Sequence, residues 1–177
     1  MPGYMPGYMP GYDVRPAVVA DADRLGDVHV QAWREAYAGI MPADHLAALD
    51  PAGRAQRWRT ILGDPAGHRA QVATADGVVV GFASGGPSRD HPPEPAAELW
   101  SIYLLAAHHG TGLADRLLAA VALPAAASVW VATANARARA FYARHGFVPD
   151  GPLPDHFTTR VHEPTGTHET RLVRPAG

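Results

Sequence analysis

Residues 98–121 read Glu98-Leu99-Trp100-Ser101-Ile102-Tyr103-Leu104-Leu105-Ala106-Ala107-His108-His109-Gly110-Thr111-Gly112-Leu113-Ala114-Asp115-Arg116-Leu117-Leu118-Ala119-Ala120-Val121. Glu98 to Leu105 has strand character. Leu113, Leu117, Leu118 and Val121 recur at helical spacing and predict a helix over about 110–123. Between them lies a short loop with two glycines. A strand, a glycine turn and a helix N-terminus in succession leave unpaired backbone N–H groups and the positive end of a helix dipole pointing into the turn. Gly110 and Gly112 carry no side chain to block approach, so a phosphate or pyrophosphate fits there. The same two glycines also suit an ordinary tight turn. The chain contains no lysine, which excludes a Walker A loop. Asp115 stands where a dinucleotide fingerprint needs its third glycine.

Working outward, Val14 to Val19 predicts a first strand, interrupted at Pro16. Asp21 is placed to cap a helix over about 22–38, whose apolar positions include Leu25, Val28, Ala32 and Ala36. A second helical stretch runs over 43–62 with a break near Pro51-Ala52-Gly53. Gln71 to Ala75 and Val78 to Ser84 predict a hairpin about Asp76-Gly77. A Pro/Gly loop covers 85–95. After the quoted stretch come a strand over 128–132, a helix over 135–145 ending at Gly146, and strands beginning at Phe147 and Thr170. This mixed order predicts an α/β (α+β) sheet with helices on its faces.

The 177 residues suffice for one core. Apolar residues make up 47% and charged residues 18%, a globular composition rather than a disordered one. A net charge of -2 gives no basic balance for nucleic acid. The absence of cysteine excludes disulfides, cysteine-ligated zinc and a catalytic thiol. Ala114 to Ala127 carries Asp115, Arg116 and Pro124, and no apolar run has membrane-spanning length. The expectation is a cytoplasmic protein with no nucleic-acid or membrane partner. Residues 1–12 repeat Met-Pro-Gly-Tyr three times and predict a flexible arm, leaving one folded domain over 13–177. Tyr4, Tyr8 and Tyr12 leave self-association into a homodimer open.

Three stretches together resemble the GNAT superfamily of acetyl-CoA-dependent N-acetyltransferases, over about residues 13–175. Glu98 to Leu104 resembles the family's central strand, and His108-His109-Gly110-Thr111-Gly112-Leu113-Ala114 its pyrophosphate loop. Val129-Trp130-Val131, followed by Asn135, Ala136, Arg137, Ala138, Phe141, Tyr142, Gly146 and Phe147, resembles its next strand and Asn-x-x-Ala-x-x-Phe-Tyr-x-x-x-Gly-Phe helix. Ala32 to Pro42 resembles a subgroup of small bacterial members. The family loop usually begins with Gln or Arg, where this chain has Ala107 or His109 according to register. A lost Arg removes one charge-assisted phosphate contact, which His109 replaces only partly at neutral pH.

The resemblance implies a GNAT fold: six to seven strands, about four helices, and a splay between the fourth and fifth strands. It implies acetyl-CoA as co-substrate and an amine acceptor, a small molecule or, next, a protein amine. Cofactor contacts would come from Ile102, Tyr103, Leu104, His109, Gly110, Thr111, Gly112, Leu113, Ala114, Asn135 and Tyr142, with the Leu104 N–H on the thioester carbonyl. Tyr142 becomes the general acid for the departing sulfur; the alternative is an aromatic packed beside Phe141 and Phe147. Glu98 is the candidate general base, directly or through water. Simple alternation puts it on one face with Trp100, Ile102 and Leu104, where an acid among apolar groups has a raised pKa. The alternative is a solvated carboxylate. Asn135 either binds pantetheine or caps its helix, and the two are compatible. His156 and Glu163 are candidates for the acceptor pocket. His162, Glu163, His168 and Glu169 fit no metal-ligand spacing, so no metal is expected. A non-catalytic acyl-CoA-binding module is the rival reading.

Overall fold

A computed structural model describes residues 10–64, 69–151, 158–163 and 165–176. Eight strands form one sheet: β1 (Tyr12–Pro16), β2 (Arg69–Ala75), β3 (Val78–Pro87), β4 (Ala97–Leu104), β5 (Ala127–Ala132), β6 (Val148–Pro149), β7 (Thr159–His162) and β8 (Thr167–Arg174). Their order is β1-β2-β3-β4-β5-β8-β6, with β7 paired to β8. Among the described residues only β4 and β5 run parallel. The helices are α1 (Ala22–Tyr37), α2 (Ala43–Ala47), α3 (Pro51–Gly63), α4 (Leu113–Val121) and α5 (Ala136–Arg144).

Local chemistry accounts for where the elements begin and end. Asp50 accepts from the N–H groups of Ala52 and Gly53, and Pro51 occupies the first helical turn, so the 43–62 stretch divides into two helices at the expected break. Asp21 does not cap α1 with its side chain. Its carboxylate instead takes two bonds from the Arg15 guanidinium, both 2.7 Å, and one from Val18 N, 2.9 Å. The Arg15 bonds chiefly hold that carboxyl below the usual carboxylate range, against the opposing effect of burial. The β7 strand is an addition to the expected set; three of its four residues are exposed, so it carries no burial period. Tyr12 belongs to β1 and its hydroxyl meets His108 Nδ1 at 3.2 Å, while Gly11 exchanges hydrogen bonds with Asp76, so both are tied to the sheet. Residues 1–9, with Tyr4 and Tyr8, lie outside the described residues.

Phe82 of β3 packs against His29 of α1 and Trp58 of α3, whose rings also meet each other. Those helices cross closely because Gly26 has no Cβ; one placed there would collide with Pro51 O and Ala55. Leu113, Leu117 and Val121 of α4 are buried in the same core cluster, with Leu99 and Leu172. No helix among the described residues is long and apolar enough to cross a membrane.

Candidate functional site

The parallel ladder between β4 and β5 is very short. It joins Glu98 to Ser128 and Leu99 to Val129, and then the strands part. The parting coincides with an irregularity on the other side of β4: Ser84 faces Ser101, while Gly85 faces Leu99, so Trp100 is an extra residue. A bulge of this kind bends its strand and releases the neighbouring ladder. The gap opens as a cavity of about 620 Å³, walled by residues 100–104 of β4 and 129–131 of β5.

The bulge also corrects the expected alternation. An extra residue inverts the phase, so Glu98 shares the lining of a second cavity with Ser101 and Tyr103 instead of facing the same way as Ile102 and Leu104. The Glu98 side chain is 1% exposed and paired to Arg89. Arg89 N donates to Oε2 at 2.9 Å and Arg89 Nε to Oε1 at 3.2 Å. The expected base is therefore committed to the loop that follows β3. Arg171, itself buried, holds the same loop through Asp90 Oδ2 at 2.8 Å and the Glu94 carbonyl.

The glycine turn sits at one end of the first cavity. Gly110 and Gly112 have φ of 75° and 80°, the left-handed region that glycine enters freely. A Cβ on either would meet nothing within 4 Å, so the space above the turn is open. Gly112 occupies the N-cap position of α4, which starts at Leu113 rather than at Gly110. Thr111 Oγ1 donates to His108 O at 2.7 Å and tightens the turn.

His109 has two partners. Arg137 Nη1 lies 2.7 Å from its Nδ1, and Leu104 O lies 2.8 Å from its Nε2. A guanidinium can only donate, so Nδ1 accepts and Nε2 carries the proton to the carbonyl. The ring thus ties the end of β4 to α5 and brings a cation to the glycine turn. Arg137 and Arg144 both line the cavity. The sequence reading assigned neither a role. Arg137 was visible only as a variable position of a helix motif, because nothing local links residue 137 to residue 109.

Ile102 to Leu104, His109 to Ala114, Asn135 and Tyr142 all line this first cavity. Asn135 Oδ1 accepts from Ala138 N at 3.1 Å and caps α5, leaving its amide N–H groups for other partners. Tyr142 is 6% exposed and packs edge-on to Phe141 and Phe147. Burial, and next the nearby Tyr37, push its phenol up from the ordinary value.

The second cavity measures about 450 Å³ and shares Tyr37, Trp100, Ser101, Tyr103 and Trp130 with the first. The hydroxyls of Tyr37 and Tyr103 meet at 2.7 Å on that common wall. Burial raises both phenols. Among its other lining residues are Glu163 and Glu169, the latter paired with Arg160 at 2.6 Å. His156 lies outside the described residues. The His162 ring is engaged by the Thr165 hydroxyl at 3.2 Å.

Comparison with known proteins adds independent findings. Residues 30–147 match the family model described as the acetyltransferase (GNAT) family. The uncharacterized N-acetyltransferase YuaI of Bacillus subtilis is 36% identical over 109 residues, 60% of this chain and 60% of that protein. The uncharacterized N-acetyltransferase Rv2669 of Mycobacterium tuberculosis is 34% identical over 144 residues, 75% of this chain and 86% of its own. The PaiA N-acetyltransferase of Thermoplasma acidophilum, solved with coenzyme A, superposes with a TM-score of 0.68 at 17% identity, over 90% of this chain and 98% of that one. The yncA protein of Salmonella typhimurium, solved with acetyl-CoA, gives 0.62 at 22% identity over 92% of each.

Proposed function

Because this chain belongs to the GNAT acetyltransferase family, we propose that it transfers an acetyl group from acetyl-CoA to a primary amine, directly and in a ternary complex. The observation that carries this reading is the pair of contiguous cavities with a shared wall. One holds a glycine turn at a helix N-terminus and a buried phenol; the other shares with it the wall formed by Tyr37, Trp100, Ser101, Tyr103 and Trp130. Two substrates can meet there without a covalent intermediate, and no cysteine is present to carry one.

The residues fit coenzyme A chemically. The open, side-chain-free turn offers backbone N–H groups to a pyrophosphate, and Arg137 supplies the charge-assisted contact that the loop itself lacks. The edge of β4 beyond Leu99, unpaired toward β5, offers backbone groups to the pantetheine arm and the thioester carbonyl. Tyr142 keeps its proton at neutral pH and gives it to the departing sulfur as the carbon–sulfur bond breaks. Burial strengthens a thiolate as a base for the same reason that it weakens the phenol as an acid, so the two stay matched. The acceptor nitrogen loses one proton to solvent before attack and one after it. One restores Tyr142, and one is released overall.

In this reading Glu98 positions the loop after β3. Its ion pair with Arg89 occupies the oxygens that a base would need free. Glu98→Gln should therefore leave the pH dependence of kcat/KM unchanged with an amine of high pKa. It should lower stability by about 1–2 kcal/mol, since Arg89 still reaches solvent, and the thermal midpoint by roughly 2–8 °C. A displaced alkaline limb would restore Glu98 as the base. Arg137→Ala should weaken CoA binding about tenfold, the value of one charge-assisted contact. The loss should shrink as salt is raised, because Arg137 is exposed. Unchanged affinity at low salt would remove Arg137 from the site.

The activity itself is tested by mixing the protein with acetyl-CoA and a panel of amines and following free CoA thiol. Acceptor-dependent thiol release, with the acetylated amine seen by mass spectrometry, is the expected result. Binding of acetyl-CoA with no turnover of any amine would instead favour a non-catalytic acyl-CoA-binding module.

A further inference from the structure

Cations and anions do not balance around the second cavity. Arg89 is matched by Glu98 and Arg160 by Glu169. Arg54 and Arg57, both on α3, also line it, and among the described residues neither has a carboxylate within ion-pair distance. Glu163 lines it too; it and Arg57 are both exposed, which leaves Arg54 as the less solvated cation without a carboxylate partner. Arg54 is half-buried, with its guanidinium 5.0 Å above the Trp33 ring. A guanidinium cannot shed its charge in a protein, and a partly desolvated cation without a counter-ion is costly.

Two further observations concern the same wall. The Trp33 indole N–H is buried and has no acceptor among the described residues, whereas native buried donors are nearly always satisfied. His29 accepts from Trp58 Nε1 at 3.3 Å through Nδ1, so its proton sits on Nε2. Burial, then Arg54 and Arg57, push the His29 imidazole down to about 3. The ring is therefore neutral at physiological pH and supplies no anion. The α1 and α3 residues named here thus bring donors and positive charge to this cavity, and they lie next to Tyr37 and Tyr103, which border the first cavity.

We propose that the acceptor is an amine whose other end carries an anionic oxo group, a carboxylate or a phosphate, and that Arg54 with Arg57 holds that end while the amine reaches toward Tyr37 and Tyr103. The proposal rests on the acetyl-transfer reading given above and narrows its substrate class. The guanidinium fork suits both oxyanions. A neutral or purely cationic amine, such as a polyamine, leaves Arg54 uncompensated and meets like charge.

The test compares three sets of amines in the CoA-release assay: amino acids, the same amino acids as carboxamides, and aminoalkyl phosphates. Rates are corrected for the fraction of free amine. The best amino acid or aminoalkyl phosphate should exceed every carboxamide by at least about tenfold in kcat/KM, the worth of a charge-assisted contact. Whichever oxyanion set gains names the source. In Arg54→Gln that ratio should collapse through a rise in KM for the anionic acceptor, and Arg54→Lys should recover part of it. Unchanged CoA affinity in both variants shows that they are folded. Carboxamides acetylated as well as their acids would overturn the inference while leaving acetyl transfer intact. A preference for anionic acceptors that survives in Arg54→Gln would overturn the assignment to Arg54. Turnover of no amine by a protein that binds acetyl-CoA would overturn the acetyl-transfer reading itself, and this inference with it.

Discussion

Gly112→Asp should leave the protein folded and abolish its binding of coenzyme A. The position immediately precedes α4. Its φ of 80° costs a side chain about 1–2 kcal/mol, small against the roughly 5–15 kcal/mol by which a domain is stable. Nothing lies within 4 Å of the added Cβ, so no neighbour has to move. The same carboxylate would project among the amides that the pyrophosphate needs. Like-charge juxtaposition costs several kcal/mol, so affinity should fall by at least about a hundredfold. Titration calorimetry, with circular dichroism as the folding control, makes the measurement. Normal affinity in a folded variant would show that the turn does not hold the pyrophosphate.

Tyr142→Phe should lower kcat by roughly 10²–10⁴-fold, the range for losing a positioned acid, and leave CoA affinity nearly intact. The change removes one oxygen. The ring's packing against Phe141 and Phe147 is kept, and no hydrogen bond among the described residues is lost with the hydroxyl. Stability should therefore change little. Burial holds the phenol above its ordinary value, so wild-type activity should show no falling limb from this residue below about pH 10. Single-turnover measurements are the appropriate check, because product release can hide a slower chemical step. Full single-turnover rates in the phenylalanine variant would remove Tyr142 from the chemistry.

Much of the site could be read directly because it is local. A strand, two glycines and a helix start are neighbours in the chain, and the left-handed φ of Gly110 and Gly112 is a property of those residues and their immediate turn. The Asn135 to Phe147 pattern is likewise contained in one helix and its cap. Every residue expected to contact the cofactor lines the first cavity. The added strand β7 escaped because it is exposed and four residues long. The division of the 43–62 stretch was legible at Pro51, whose place in the first turn of α3 is a local matter.

What the amino-acid sequence determined by itself, then, is most of the order of elements, the family pattern and the glycine turn at a helix N-terminus, all set by interactions among residues close in the chain. The tertiary structure alone decided the rest. The bulge at Trp100 depends on how β4 registers against β3, and it inverted the face assigned to Glu98. The Glu98–Arg89 pair follows from that inversion. Arg137 reaches the glycine turn only because α5 is laid across the end of β4, joining residues 28 positions apart through His109. That Arg54 has no carboxylate partner among the described residues is likewise a matter of which segments come near it. Charge balance in a cavity is a sum over distant segments, and no window of sequence contains that sum.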